Sequence, residues 1–219
     1  MLVPARLLVY LAIAISIAGC TADPSRATNT DAAQRAPAPA DPDREFNVIG
    51  DAGAPVVIIE FTDLQCPYCA KFATQTFPRL KTAYIDTGKL RYASRDLPLA
   101  MHAFAVPAAV AARCAGEQGR FWEFRAAVFA EQGRLGTAPY DEFARRLGLD
   151  AEQFAACRRD DRQLRVVRED AQLAGSFGLN STPSFVIGRV IDGKFVGDSF
   201  SGAKPLEFFA EKIDALLAQ

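Results

Sequence analysis

The sequence predicts an α/β domain that is interrupted by an all-helical insertion, and three observations predict this class. A buried strand runs into a helix and then into a second strand within residues 45–98. A hairpin and a final helix close the chain within residues 176–219, and residues 99–175 carry helical patterns without a strand signal. We therefore assign the first and last of these ranges to the α/β domain and the middle one to the insertion.

Composition and charge limit the classes of protein to which the chain can belong. It has 219 residues, of which 50% are hydrophobic and 23% are charged, and these values are ordinary for a globular protein. The formal net charge is −1, and the sequence contains no basic run. Nucleic acid is therefore not an expected partner, because its phosphates are bound by clustered Lys and Arg side chains.

The first 19 residues are typical of an export signal. Arg6 precedes an almost continuously apolar stretch at residues 7–18, which is too short to span a membrane. The stretch closes in the motif IAGC at residues 17–20, which is similar to a bacterial lipobox, whose cysteine is lipidated. We expect residues 1–19 to be a lipoprotein signal peptide and Cys20 to carry the lipid. The alternative is ordinary cleavage, which leaves Cys20 as a free thiol.

Residues 20–44 are typical of a flexible linker. They are rich in Ala, Pro, Asp, Ser and Thr and show no apolar periodicity, so they bury too little surface to fold by themselves. A flexible coil of this length spans about 25–30 Å. We expect it to hold the folded part clear of the membrane surface.

The α/β domain begins with two predicted strands. Residues 46–50 favour a short edge strand, and residues 56–61 favour a buried central strand because they form a β-branched run between turn signals. Glu60 interrupts the central strand, and a carboxylate in a core strand is costly. Glu60 either faces water near the end of the strand or is buried as a proton acceptor beneath the site described next.

A Cys-x-x-Cys pair follows the central strand at the start of a helical stretch, residues 70–84. At this position Cys66 meets unpaired backbone N–H groups and the positive end of the helix dipole, which stabilise a thiolate. Pro67 suits the first helical turn, and Cys69 lies close enough to close a small disulfide ring. We predict thiol–disulfide exchange, in which Cys66 attacks and Cys69 resolves the mixed disulfide. The alternative is half of a structural zinc site, for which no matching second pair stands nearby.

The remaining elements are predicted from periodicity and from turn residues. Residues 89–94 alternate as a strand does, and the pair Asp192-Gly193 between apolar runs predicts a β-hairpin. Residues 205–217 predict an amphipathic final helix. The insertion is predicted to contain helices at residues 102–115, 121–131, 140–147, 151–159 and 162–174.

In this order, the motifs resemble those of the DsbA-type exported branch of the thioredoxin superfamily, which includes DsbG-like proteins. The resemblance covers about residues 46–219 and implies a thioredoxin-like fold with an inserted helical domain. Its motifs are DLQCPYC at residues 63–69, RDLPL at 95–99 with His102, GRFWE at 119–123 and STPS at 181–184.

The resemblance implies roles for individual residues. Cys66 matches the nucleophile of the family and Cys69 its resolving cysteine, so that the Cys66–Cys69 disulfide is the redox group and neither a cofactor nor a metal is expected. Pro183 matches the cis-proline that faces the disulfide, and the backbone of Thr182 would pair with an extended client segment. Without the resemblance, these two residues would be an ordinary junction between a loop and a strand. Glu60 matches the buried acid of the superfamily and is a proton-transfer candidate.

Two residues near the motif bear on its chemistry. Tyr68 stands where the strongest oxidants of the family carry a histidine, so the imidazole that helps to hold a thiolate is absent at this position. The dipeptide Pro67-Tyr68 is shared with glutaredoxins and some disulfide isomerases. His102 is the single histidine of the sequence, and we expect it to be structural or to cap a helix; a Cys–His catalytic pair would need it beside Cys66.

Cys114 and Cys157 lie in the helical insertion, and three interpretations of them compete. They form a structural disulfide, remain two buried free thiols, or act as a second redox relay. We favour the disulfide in an oxidising compartment, and the resemblance implies an equivalent bond in some relatives. A thiolate zinc site made of these two cysteines together with Cys66 and Cys69 is a further alternative.

The sequence as a whole predicts a lipid-anchored, extracytoplasmic thiol–disulfide oxidoreductase that forms or exchanges disulfides in exported proteins. We expect cysteine-containing exported proteins as substrates, a membrane redox partner that resets the disulfide, and a monomer on the periplasmic or cell-surface side of a bacterial membrane. The alternatives are a reductase or isomerase for specific clients and a non-catalytic lipoprotein that binds a partner or zinc.

Overall fold

The structure is a computed structural model that describes residues 47–192 and 194–219. In this part of the chain a five-stranded mixed sheet is combined with helices, which confirms the predicted α/β class. The order across the sheet is β1-β3-β2-β4-β5. The strands are β1 (Val48–Ile49), β2 (Val56–Thr62), β3 (Leu90–Asp96), β4 (Ser184–Ile191) and β5 (Lys194–Ser201).

The central strand β2 consists mostly of β-branched and aromatic residues that are buried on both faces of the sheet. It pairs in parallel with β3 and antiparallel with β4, so the connection from β2 to β3 crosses over through a helix. The hairpin predicted around Asp192 is present, with Ile191 opposite Lys194. Asp192 has a φ of 51°, the left-handed conformation that tight hairpin turns require.

The crossover helix alternates between α-helical and π-helical turns. The α-helical parts are α1 (Pro67–Lys71) and α2 (Phe77–Leu80), and each is followed by a π-helical segment, Phe72–Thr76 or Lys81–Ile85. Pro78 has no N–H group to donate within the helix. The π turn before it widens the helix by one residue and accommodates both the proline ring and the missing hydrogen bond.

The insertion is all-helical, as predicted, and its α-helices end within a few residues of the expected positions. Two of its α-helices begin at side-chain caps: Asp150 accepts a hydrogen bond from the Gln153 N–H, and Asp160 accepts one from the Arg162 N–H. The helices are α3 (Ala105–Gly116), α4 (Phe121–Ala130), a 3-10 helix (Gln132–Thr137), α5 (Tyr140–Arg146), α6 (Ala151–Arg159) and α7 (Asp161–Ser176). The final helix α8 (Leu206–Leu217) returns to the sheet, where Phe209 joins the core. None of the helices in the described ranges is both long and apolar enough to cross a membrane.

Apolar residues form a cluster on each face of the sheet and a further cluster in the insertion. Phe72 and Phe185 belong to the cluster on one face, and Phe61 belongs to the cluster on the other. The cluster of the insertion includes Cys66 and Cys69. The cysteine pair therefore lies where the core of the insertion meets the α/β domain.

Candidate active site

Cys66 and Cys69 flank the first turn of α1, shortly after the end of the central strand. Cys66 precedes the helix in an extended conformation (φ −71°, ψ 124°), and Pro67 begins the helix. Cys66 is 4% exposed and Cys69 is fully buried. Both are free thiols in the structure. The sulfur that lies nearer to solvent is therefore the one at the N-terminus of the helix, where backbone N–H groups stabilise negative charge.

Several groups stabilise a thiolate at Cys66. The largest effect is a hydrogen bond from the Cys69 thiol, and it lowers the pKa of Cys66 from 9.0 to about 5 together with the contact to Thr182 and the backbone N–H groups of Cys69 and Tyr68. Burial opposes this shift. At neutral pH Cys66 is therefore ionised and able to attack a disulfide or to leave from one.

Cys69 has the opposite electrostatic environment. Burial raises its pKa far above the ordinary range, and the hydrogen bond to Cys66 and the negative charge of Glu60 raise it further. The backbone N–H of Asp63 donates to the Cys69 sulfur at 3.5 Å. Cys69 thus remains a protonated thiol that supports the thiolate beside it.

The predicted loop before β4 comes back to the cysteines. The Thr182–Pro183 peptide bond is cis, and Cys66 Sγ lies 3.5 Å from the Thr182 carbonyl oxygen. This contact joins residues 116 positions apart, and it arises because β4 pairs antiparallel with β2, with Ser184 opposite Phe61. The structure therefore places Thr182, the residue before the predicted cis-proline, beside Cys66.

Glu60 is fully buried, which decides between the two positions that the sequence left open. Its Oε2 accepts a hydrogen bond from the Tyr92 hydroxyl at 2.7 Å and another from the Arg125 guanidinium at 2.6 Å. Burial and the neighbouring Glu60 charge raise the pKa of Tyr92 well above its usual value. Among the described residues, Oε1 of Glu60 has no hydrogen-bond partner. One carboxylate oxygen is thus occupied and the other is free to accept.

Sequence reasoning missed Arg125, the cation beneath the site. It comes from α4 of the insertion and is 3% exposed. Its guanidinium carbon lies 4.8 Å from the centre of the Phe129 ring and 5.5 Å from those of Phe77 and Trp122. A basic residue within the apolar run of α4 was the available signal, but its partner lies 65 residues earlier in the chain.

Asp63 and His102 organise the loop that leads into Cys66. The buried Asp63 carboxylate accepts hydrogen bonds from the backbone N–H groups of Gln65 (2.7 Å) and Leu99 (2.8 Å). His102 Nδ1 lies 2.7 Å from the same carboxylate. This pairing agrees with a structural role for His102, because its partner is the loop carboxylate and not a sulfur.

Exposed apolar side chains lie on the first turn of α1 and on the loop that follows β3. Tyr68, between the cysteines, is 63% exposed. Met101 is 81% exposed and Phe104 39%, and both belong to the loop that binds Asp63 and Gln65. Large apolar side chains in solvent next to a reactive sulfur are typical of a surface that receives another protein.

The two further cysteines in the described residues form a disulfide of their own in the insertion. Cys114 on α3 and Cys157 on α6 are bonded to each other, with 5.7 Å between their Cα atoms. The described residues contain no group of three or more His, Cys, Asp or Glu side chains that could hold a metal ion. Cys20, with the predicted signal peptide and linker, lies outside the described residues.

Comparison with known protein families gives one matching family model. It is described as Thioredoxin and matches residues 44–203. Curated relatives include the Na(+)/H(+) antiporter NhaA 1 of Salinispora arenicola, which is 36% identical over 177 residues. This match covers 80% of the present chain and 26% of the antiporter. The chain thus spans about a quarter of the length of the curated relatives it matches.

Solved structures of similar fold include two DsbA proteins. Wolbachia pipientis alpha-DsbA1 is 29% identical, with a TM-score of 0.70, and the match covers 84% of the present chain and 94% of that chain. Pseudomonas aeruginosa DsbA2 is 27% identical, with a TM-score of 0.63, and the match covers 78% and 93% of the two chains. The similarity therefore includes the insertion as well as the sheet.

Proposed function

The chain belongs to the thioredoxin family, and from this premise we propose that it is an extracytoplasmic thiol–disulfide oxidoreductase of DsbA type, which forms or exchanges disulfides in exported proteins. The observation that supports this proposal most strongly is the difference in pKa between the two cysteines. The pKa of Cys66 is lowered to about 5, whereas that of the buried Cys69 is raised. Such an asymmetric pair has one sulfur that reacts with clients and one that resolves the intermediate.

In the proposed reaction, a client thiolate attacks Cys66 Sγ in the oxidised Cys66–Cys69 pair. The bond between the two cysteines breaks, and Cys69 leaves with the electron pair and takes up a proton. A second client thiolate then attacks the client sulfur of the mixed disulfide, and Cys66 leaves as the stabilised thiolate. The client is oxidised by two electrons, the protein is reduced by two, and a membrane redox partner resets the disulfide.

We assign three further residues to this reaction. The Thr182 backbone beside Pro183 holds an extended client segment, which the contact between Thr182 and Cys66 supports. Glu60 exchanges the proton of Cys69, which its burial and the free oxygen Oε1 support. A Glu60→Gln variant is then expected to slow the steps in which Cys69 gains or loses a proton, more than the attack of an external thiol on Cys66.

The direction of electron flow is proposed as client oxidation. A stabilised Cys66 thiolate favours the reduced protein and so makes its disulfide a better oxidant. The same chemistry supports a reductase or an isomerase for specific clients, and the reduction potential separates these functions. The export signal with Cys20 supports a lipid-anchored protein on the periplasmic or cell-surface side of a bacterial membrane.

A trapping experiment with two matched cysteine variants tests the proposal. We mix Cys69→Ser with a client protein that carries disulfides, so that the Cys66 thiolate can attack one of them. The variant is expected to accumulate a mixed disulfide between Cys66 and the client, because no resolving thiol remains. Cys66→Ser is expected to trap nothing and to lose all turnover. Non-reducing gels and peptide mass mapping identify the linkage. If Cys66→Ser keeps a bound partner and the wild-type protein turns over no disulfide, the chain is a binding protein and not an enzyme.

A further inference from the structure

The helical insertion reaches the loop before the helix of the cysteines through the side chain of Gln132. Its Nε2 lies 2.9 Å from the Leu64 carbonyl oxygen and 3.0 Å from the Cys66 carbonyl oxygen. A primary amide carries two N–H donors, so one side chain can serve both carbonyls. Gln132 is the first residue of the 3-10 helix and stands partly buried at this contact.

The orientation of the Cys66 carbonyl sets how the first turn of α1 lies relative to the Cys66 side chain. This carbonyl also accepts the first hydrogen bond of α1, from the Ala70 N–H at 3.1 Å. Rotation about ψ of Cys66 turns this carbonyl, and the helical turn after it, relative to the Cys66 side chain. A fixed carbonyl therefore keeps the sulfur within reach of the N–H groups of Tyr68 and Cys69, which stabilise the thiolate.

We propose that Gln132 is a positioning residue for Cys66, which holds the carbonyls of Leu64 and Cys66 so that the helix N-terminus faces the reactive sulfur. Gln132 acts through the backbone of the Cys66 loop, since its side-chain amide donates to two carbonyl oxygens of that loop. The inference rests on the proposed function, because it assigns a role in preparing the nucleophile of that reaction.

Ion pairs around Gln132 hold the start of the 3-10 helix in place. Glu131, the preceding residue, accepts a hydrogen bond from Arg146 on α5 at 2.6 Å, and Arg134 pairs with both Glu131 and Glu142. These pairs tie the start of the 3-10 helix to α5. Several charges acting as a network fix a segment more firmly than an isolated surface pair does.

The loop that contains Gln65 and Cys66 also contacts the loop of Phe104, which in turn packs on the 3-10 helix. Gln65 Oε1 accepts a hydrogen bond from the Phe104 N–H at 2.7 Å. A Cβ placed on Gly136 of the 3-10 helix would lie 3.5 Å from the Phe104 ring, so the ring packs on this glycine. The Cys66 loop, the Phe104 loop and the 3-10 helix thus each contact the other two. Gln132 makes the contact between the 3-10 helix and the Cys66 carbonyl.

The insertion also offers a matched control for Gln132. Gln118 donates to the Asp150 carbonyl oxygen at 3.2 Å and accepts from the Asp150 N–H at 2.8 Å. It therefore makes two side-chain hydrogen bonds to the backbone, as Gln132 does, but at a helix end that has no role in the site. Gln118→Met removes the same kind of bond without touching the Cys66 loop.

The test titrates the Cys66 thiolate by its ultraviolet absorbance in wild-type, Gln132→Met and Gln118→Met proteins, with thermal melts of each. We expect Gln132→Met to raise the pKa of Cys66 by about one unit and to shift the glutathione equilibrium about tenfold towards the oxidised protein, or about 30 mV. Gln132→Met and Gln118→Met are expected to lower the melting temperature by similar amounts, because each removes two side-chain hydrogen bonds to the backbone. Gln118→Met is expected to leave the Cys66 titration unchanged.

Each alternative outcome has a defined meaning. A Cys66 titration that is unchanged in folded Gln132→Met, or one that moves equally in Gln118→Met, overturns the role of Gln132. Gln132→Glu keeps the length of the side chain, and its ionised form cannot donate; an unmoved titration in this variant overturns the role as well. A wild-type protein with no reversible two-thiol transition overturns the proposed function first, whereas a normal wild-type transition with an unmoved variant overturns this inference alone.

Discussion

At the scale of single residues, the Cys66 thiolate depends on groups that only the folded chain brings together. The Cys69 thiol, the Thr182 loop and the helix N-terminus meet at its sulfur, although Thr182 lies far along the sequence. In an unfolded chain the sulfur faces water and keeps its ordinary pKa. The difference between the two states links the ionisation of Cys66 to the stability of the reduced protein.

This linkage predicts how the stability of the reduced protein depends on pH. Because folding lowers the pKa of Cys66 from 9.0 to about 5, the contribution is complete above pH 9 and is lost as the pH falls through about 5. The oxidised protein has no Cys66 thiol to titrate. We expect the melting temperature of the reduced form, minus that of the oxidised form, to rise from about pH 5 to about pH 9. Melting curves of the two forms that stay parallel across this range would contradict the assignment.

A second prediction concerns the buried ion pair beneath the cysteines. Arg125→Met leaves the Glu60 carboxylate buried without its cation, and we expect a loss of about 3–5 kcal/mol in the free energy of unfolding. The double variant Glu60→Gln with Arg125→Met is expected to recover part of this loss, because no charge then remains buried. Urea unfolding of the single and double variants measures both effects.

Arg120→Met serves as the control for this prediction. Arg120 also belongs to the insertion, but its side chain is 51% exposed and pairs with Glu123 at the surface, so we expect a loss of at most about 1 kcal/mol. Equal losses for Arg125→Met and Arg120→Met would contradict the expectation that the buried pair contributes more to stability than a surface pair does.

At the scale of elements, the Cys114–Cys157 bond joins α3 and α6 across a sequence separation of 43 residues. Chain entropy gives about 4 kcal/mol for a loop of this length, and measured values are typically about 2–4 kcal/mol. We expect Cys114→Ala with Cys157→Ala to lower the free energy of unfolding by this amount and to leave the Cys66 titration unchanged. A loss of client turnover in a variant that is still folded would instead support the redox-relay interpretation.

The β4–β5 hairpin depends on two glycines that face each other, Gly188 and Gly197. A Cβ on Gly188 would lie 2.0 Å from the Val196 carbonyl oxygen, and one on Gly197 would lie 2.2 Å from that of Ile187. These contacts are with backbone, so we expect Gly188→Ala to destabilise the protein by about 1–3 kcal/mol or more. Gly133→Ala, which meets nothing within 4 Å, is the control. Equal thermal stability of the two variants would contradict the close approach of the strands.

The elements also show where sequence patterns suffice and where they do not. The strands and α-helices follow apolar periodicity and cap residues such as Asp150, which are local signals. The 3-10 helix that carries Gln132 was not predicted, because its six residues include two glycines and too few apolar positions to show a period. The π turns were missed for a related reason, since one extra residue in a turn leaves no pattern of its own.

At the scale of the whole molecule, the insertion is part of the active site and not an appendage to it. It supplies Arg125, which donates to Glu60, and Gln132 at the Cys66 carbonyl, and its apolar core includes both cysteines. The sequence predicted the residues that carry the chemistry, since Cys66, Cys69 and Pro183 stand in short motifs. It did not predict the supporting residues, because their partners lie more than 60 positions away and are chosen by tertiary packing.

The measurement that tests the central claim most directly is the thiol–disulfide equilibrium of the protein with glutathione. Free thiols are alkylated across a series of glutathione ratios and counted by mass. We expect one reversible two-thiol transition, confined to Cys66 and Cys69, with a potential between about −180 and −120 mV, the values typical of protein disulfide isomerase and DsbA. A potential near about −270 mV, as in thioredoxin, would contradict client oxidation and indicate a reductase. The absence of any reversible transition at this pair would contradict exchange chemistry altogether.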